Sequence, residues 1–150
     1  MEEYRASYFI ARLQKGLRET MPNKYYKPEV SMTYTIQAFI LCIMHSQTNA
    51  HILHLQTRSY AEHKALQHYY EGIDGLIDDF VEAYQGKYGI IEGYGTEYQA
   101  PPKPLEYMVS LSDYLKQARP SLPQDSELCN ILDEMAALLD RTIYKLRFLE

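Results

Sequence analysis

Glycine and proline fall mainly in three windows, residues 22–28, 86–104 and 120–123, and the long stretches between them carry apolar residues at three-and-four spacing. That punctuation predicts an all-α chain. With 150 residues, 46% of them hydrophobic, the chain can close one helical domain around a core and is too short for two.

Five helical segments follow from the spacing. Over residues 1–20, Ala6, Phe9, Ile10, Leu13 and Leu17 make one apolar face, a preliminary helix laid against the main body. Helix A is expected over 31–58, with Ile36, Phe39, Ile40, Ile43, Met44, Ile52 and Leu55. Helix B is expected over 60–85, with Leu66, Tyr69, Tyr70, Ile73, Ile77, Phe80 and Tyr84 on one side. The Arg58-Ser59 joint is tight, which makes A and B antiparallel neighbours. Helix C, 105–119, places Leu105, Met108, Leu111 or Ser112, Leu115 and Ala118 on one face and stops at Pro120. Helix D, 125–149, carries Leu128, Ile131, Leu132, Met135, Leu138, Leu139, Thr142 and Leu146 in near-heptad order, with Asp125 or Ser126 as N-cap.

Residues 86–104 leave a link of 19 residues between B and C, against about 2–8 for an ordinary antiparallel helix connection. Extended at about 3.3 Å per residue the link reaches roughly 60 Å, whereas a helix of about 25 residues spans only ~37 Å, so it can return along the whole bundle. Two antiparallel pairs joined by one such crossover are the ferritin-like four-helix arrangement.

Fifteen Lys and Arg against twenty Asp and Glu give a formal charge of −5, which argues against non-specific attraction to nucleic acid or an anionic membrane. No basic tail is present for DNA. The longest apolar run, Ala38 to Met44, is seven residues, where a membrane span needs about 20. The acidic start, Met1-Glu2-Glu3, lacks the apolar run of a secretion signal, so a soluble, cytoplasmic protein is expected. Cys42 and Cys129 fall inside helical segments and read as reduced core thiols.

All five histidines, His45, His51, His54, His63 and His68, lie within 24 residues across the A–B joint. Helix B adds Gln67, Glu71, Asp74, Asp78, Asp79 and Glu82, so one region holds nitrogen and oxygen donors suited to iron, manganese or zinc. At about 100° per residue from His63, Asp74 falls near 20°, Gln67 near 40°, Asp78 near 60°, Glu71 near 80° and Glu82 near 100°, a single stripe that can face another subunit. Carboxylates at this spacing are by themselves an ordinary hydrated face; His63 at the head of the stripe gives it ligand character. His54, beside the joint, fits a ligand or a capping role equally, and His45 reads as a satisfied core or surface histidine. The Glu-x-x-His pairs of an intrachain di-iron bundle are absent and no histidine follows His68, so any metal site must come from A and B.

The segment His54-Leu-Gln-Thr-Arg-Ser-Tyr-Ala-Glu-His63, followed by Asp78-Asp-Phe-Val-Glu82, resembles the Dps family of ferritin-like mini-ferritins. With the last helix included, the resemblance runs from about Ser31 to Glu150, and its specific part is residues 51–82. The pattern is also similar to uncharacterised ferritin-like proteins of phages and bacteria. The resemblance implies metal ligands at His54, His63, Asp78 and Glu82, with His51, Gln67, His68, Glu71 and Asp74 as secondary candidates, and a site whose halves come from two subunits across a two-fold axis. It implies Fe(II) binding and oxidation in a homo-oligomer, anywhere from a dimer to a dodecamer. Gln67 stands where the family has an acidic ligand and Leu55 where it has tryptophan, and the A–B joint is shorter when His54 is aligned. His51 keeps the family's distance to His63 better but lacks the motif that follows. Neutral Gln67 removes a negative charge, which weakens iron binding or alters its stoichiometry.

Two other classes fit the same residues. One is a catalytically inactive ferritin-like scaffold or interaction module in a viral or cellular assembly. The other is a metal-dependent hydrolase or nuclease, for which the sequence offers no Ser or Cys nucleophile motif and no phosphate-cradling glycine loop.

Overall fold

Helix formation begins at Thr35, whose hydroxyl accepts from the Ala38 amide at 3.2 Å, satisfying one of the amides that every helix start leaves unpaired. The computed structural model describes residues 34–149 apart from 97, 99 and 102. The helix expected over 1–20, and the first residues of expected helix A, lie outside the described residues. The first described helix, α1, is Ile36–Gln56; Tyr34 and Thr35 are not helical, because the cap residue holds extended backbone.

Helix α2 is Tyr60–Tyr88, opened by Ser59, whose Oγ accepts from the Glu62 amide at 3.3 Å. Ser59 and Glu62 have the spacing of a capping box, yet the Glu62 carboxylate turns back to accept from the Thr57 hydroxyl, and Thr57 Oγ1 in turn accepts from the Ser59 amide. Thr57 and Ser59 of the three-residue joint are thus tied to each other and to the first turn of α2. The helix passes the expected end at 85, since Gly86 is tolerated within it, and stops at Gly89, whose φ of 90° is a left-handed value that favours glycine.

Pro104 takes the first position of α3, Pro104–Ala118, where its missing amide costs nothing. A short 3-10 turn, Arg119–Ser121, leads to α4, Ser126–Phe148. Asp125 occupies the cap position, but its carboxylate makes no cap bond and meets Lys87 and Tyr88 instead.

Contacts fix the directions. Phe39 meets Phe80 at 5.6 Å and His54 meets His63 at 3.6 Å, so early α1 lies on late α2 and the two are antiparallel. Tyr34 bonds Gln117 at 3.0 Å and Asn49 bonds Tyr107 at 2.9 Å, so α3 is also antiparallel to α1. Helices α2 and α3 therefore run the same way, and the described residues between Gly89 and Lys103 return along the bundle. They do so against α1: Gln37 Nε2 donates to the Glu92 carbonyl at 3.1 Å, and the Tyr98 hydroxyl donates to Asn49 Oδ1 at 2.5 Å. Helix α4 packs on α2 and α3.

Among the described residues, all four α-helices and the crossover feed one core. Leu66, Ile73, Met108, Leu111, Leu128 and Leu132 are fully buried, and Ile91 of the crossover joins them. Each such side chain contributes about 1.5–3 kcal/mol by leaving water, so truncating Leu132 to alanine costs about 2–5 kcal/mol. Among the described residues no helix is long and apolar enough to cross a membrane.

Candidate functional site

Because α1 ends at Gln56, the carbonyl of His54 has no amide one turn further along the helix to pair with. His63, one turn into α2, supplies the partner: its Nδ1 lies 3.1 Å from the His54 carbonyl oxygen. The relation is reciprocal, with His54 Nδ1 2.9 Å from the His63 carbonyl oxygen. The two rings stack between these bonds, centroids 3.6 Å apart and planes 25° apart. A carbonyl oxygen only accepts, so each Nδ1 carries the proton and, in the neutral ring, each Nε2 carries the lone pair. That is also how metal-binding histidines are commonly held, by a hydrogen bond from the nitrogen that does not ligate.

Tyr70 and His51 complete this aromatic cluster. Tyr70 stacks on His51 at 4.3 Å and meets His54 edge-on at 5.3 Å, while His51 and His54 stand 5.9 Å apart. His54 is buried, His63 half-buried and His51 exposed. Tyr70, expected on the apolar side of its helix, does pack against the core; its place beside the imidazoles follows from α1 lying across the start of α2, which spacing along one helix does not disclose.

The other expected site residues do not join the cluster. Asp78 and Glu82 are exposed on α2, and the rise of about 1.5 Å per residue puts them roughly 22 and 28 Å along the axis from His63. Gln67 accepts from Lys64 Nζ at 2.8 Å and donates to Glu71 at 2.8 Å, which ties two secondary candidates to each other. Asp74 accepts from Gln47 Nε2 at 3.2 Å, and His68 is exposed. Among the described residues no three histidine, cysteine or acidic side chains gather around one position.

A second polar feature runs inside the bundle. Cys42, Ser46 and Asn49, on the inward stripe of α1, meet Tyr114, Tyr69 and Tyr107 respectively. Burial pushes the Cys42 thiol up to about 12 and raises the Tyr69 phenol, so both stay protonated in the fold. His45 meets Tyr98 edge-on at 5.4 Å, and partial burial draws its imidazole below the ordinary range. Both cysteines are free thiols.

Charge is distributed unevenly along α2. His63, Lys64 and His68 lie in its first half with Glu62 and Glu71, and Asp74, Asp78, Asp79 and Glu82 in its second half ahead of Lys87, all but Glu62 and His63 exposed. The outward stripe read from the sequence is therefore solvent-facing within one chain.

No curated protein and no solved structure matches the chain. A family model described as a family of unknown function, DUF5856, matches residues 54–146, from His54 through α2 and α3 to near the end of α4. The match covers more than half of the chain, which belongs to the DUF5856 family.

Proposed function

We propose that this protein is a ferritin-like, Dps-related bundle of the cytoplasm that binds a divalent transition metal, iron by the family resemblance, between two copies packed along α2. The carrying observation is the reciprocal His54–His63 pair, which fixes both rings by Nδ1 and leaves Nε2 as the lone-pair nitrogen of each. The return of residues 89–103 along α1 supports the ferritin-like connection.

Within one chain the imidazoles and the Asp78–Glu82 pair are too far apart to share an ion. An antiparallel second α2, centred near Glu71, sets the imidazole and lysine end of one copy against the acidic end of the other. Lys64 then pairs by register with Asp78 of its partner copy, and the carboxylates approach the imidazoles. Carboxylates stabilise Fe(III) and imidazoles hold Fe(II), so the combined set suits oxidation of bound iron by oxygen or peroxide.

The test is Fe(II) titration under air, with particle mass followed by light scattering. Saturable oxidation by an oligomer, lost in the double variant Asp78→Asn, Glu82→Gln with the fold intact, is the expected result. Oxidation no faster than in buffer overturns the reading.

A second reading, an inactive scaffold acting through protein contacts, is favoured by the apolar side chains exposed toward the α1–α2 joint end of the bundle. Leu55, Tyr60, Tyr144 and Phe148 are each more than half exposed there.

A further inference from the structure

His51 and His54 stand three residues apart on the last turns of α1, with ring centroids 5.9 Å apart and planes inclined by 61°. Two imidazoles sharing one ion at the usual metal–nitrogen distance of about 2.0–2.1 Å, at a tetrahedral or wider angle, have centroids roughly 5–6 Å apart. His51 and His54 meet that separation. His54 and His63, at 3.6 Å with near-parallel planes, do not: sharing an ion would close the N–metal–N angle to about 70°, far below tetrahedral.

The geometry points to a two-imidazole site formed by His51 and His54, open to water, that takes a nitrogen-preferring divalent ion of the copper, nickel or zinc type. His63 is a positioning residue here, since its carbonyl accepts from His54 Nδ1 and leaves Nε2 for the ion. Tyr70 steadies the other ring by stacking on His51. His51 is exposed, which gives an ion and its waters access. The nearest acidic side chain of the joint, Glu62, is engaged by Thr57, so the local donors are nitrogen, and nitrogen donors select along the Irving–Williams order for copper, nickel and zinc over iron and manganese. The site requires neither a second copy nor Asp78 and Glu82, but it takes the same His54 Nε2 as the two-chain reading, so the two ions exclude one another at that nitrogen.

The experiment is Zn²⁺ titration of the full chain against a chromophoric chelator, with Cu²⁺ electron paramagnetic resonance on the same protein. One ion per chain is expected, with nitrogen hyperfine structure from two imidazoles. His51→Ala, at an exposed position, should weaken binding about tenfold or more, whereas Asp113→Asn, exposed on α3, should leave it unchanged. Unaltered affinity in His51→Ala, a single coordinating nitrogen, or an equal loss in Asp113→Asn each overturns the proposal. Iron oxidation is read separately, so failure of the two-chain reading and failure of this one are told apart.

Discussion

His54 and His63 each bond the other's backbone, Nδ1 to carbonyl oxygen at 2.9 and 3.1 Å, so the last turn of α1 and the first of α2 are closed on one another by two stacked imidazoles. The short joint is clasped by the helices on both sides of it. The same clasp selects which nitrogen of each ring is left to bind anything else.

Removing one ring tests the clasp. His63→Ala deletes the donor to a C-terminal carbonyl of α1 and uncovers a face of buried His54, and should cost about 1–3 kcal/mol in urea denaturation. His63→Gln, which keeps an N–H donor, should recover part of the loss. An unchanged midpoint in His63→Ala would sink the structural role.

The Ser46–Tyr69 bond gives an asymmetric pair of variants. Ser46 Oγ donates to the Ile43 carbonyl at 2.6 Å, so it is Tyr69 that donates to Ser46, at 2.7 Å. Ser46→Ala strands a fully buried phenol and should cost about 1–3 kcal/mol, while Tyr69→Phe leaves Ser46 satisfied and should cost about 0.5–1.5 kcal/mol. The double variant should fall short of the sum, a coupling that thermal or urea unfolding can measure.

Lys87 ties the end of α2 to the start of α4 through Asp125 at 2.5 Å and Glu127 at 3.1 Å. The Lys87 bond, then the Tyr88 hydroxyl, holds the Asp125 carboxyl below its ordinary value; Glu127 is lowered first by its backbone bond and then by Lys87. Lowered carboxyls stabilise the fold above their unfolded pKa, and the contribution is lost as pH falls through the folded values, below about 4. The bonds to Asp125 and Glu127 raise the Lys87 ammonium, so its contribution holds below the ordinary lysine range and is lost only as pH rises through the folded value. Lys87→Met should therefore lower Tm near neutrality and lose its effect in strong acid and in high salt. A difference constant from pH 2.5 to 7 contradicts this.

Gly75 and Gly72 lie in the same helix but answer differently to a methyl group. A Cβ at Gly75 meets nothing within 4 Å, whereas one at Gly72 lies 3.2 Å from Leu138 Cδ2. Gly75→Ala should stabilise the chain by about 0.5–1 kcal/mol and Gly72→Ala by less. If two copies pair along α2, Gly75→Ala should also reduce the assembled fraction in light scattering even as the single chain becomes harder to unfold.

Much of the helical order was legible in the chain itself, because apolar periodicity and glycine and proline punctuation act locally. The inward face of α2, with Leu66, Tyr69, Ile73, Ile77 and Phe80, could be read from spacing alone and is buried. The ends were less legible: Thr35 and Gly89 set them through a side-chain cap and a left-handed φ, and both compete with equally plausible neighbours. Asp125 was marked as a cap and does occupy the position, but its carboxylate serves Lys87, a partner 38 residues away.

The candidate site divides the same way. The sequence by itself determined that five histidines crowd the helix joint and that a carboxylate stripe follows on one helix, since both are matters of order along the chain. Only the tertiary structure decided that His54 and His63 stack while His51 stands at ligand spacing from His54, that Tyr70 sits among them, and that Asp78 and Glu82 lie on an outward face far along the axis. Ring separations of a few ångströms depend on how two helices cross, and a single strand of residues does not encode that crossing locally.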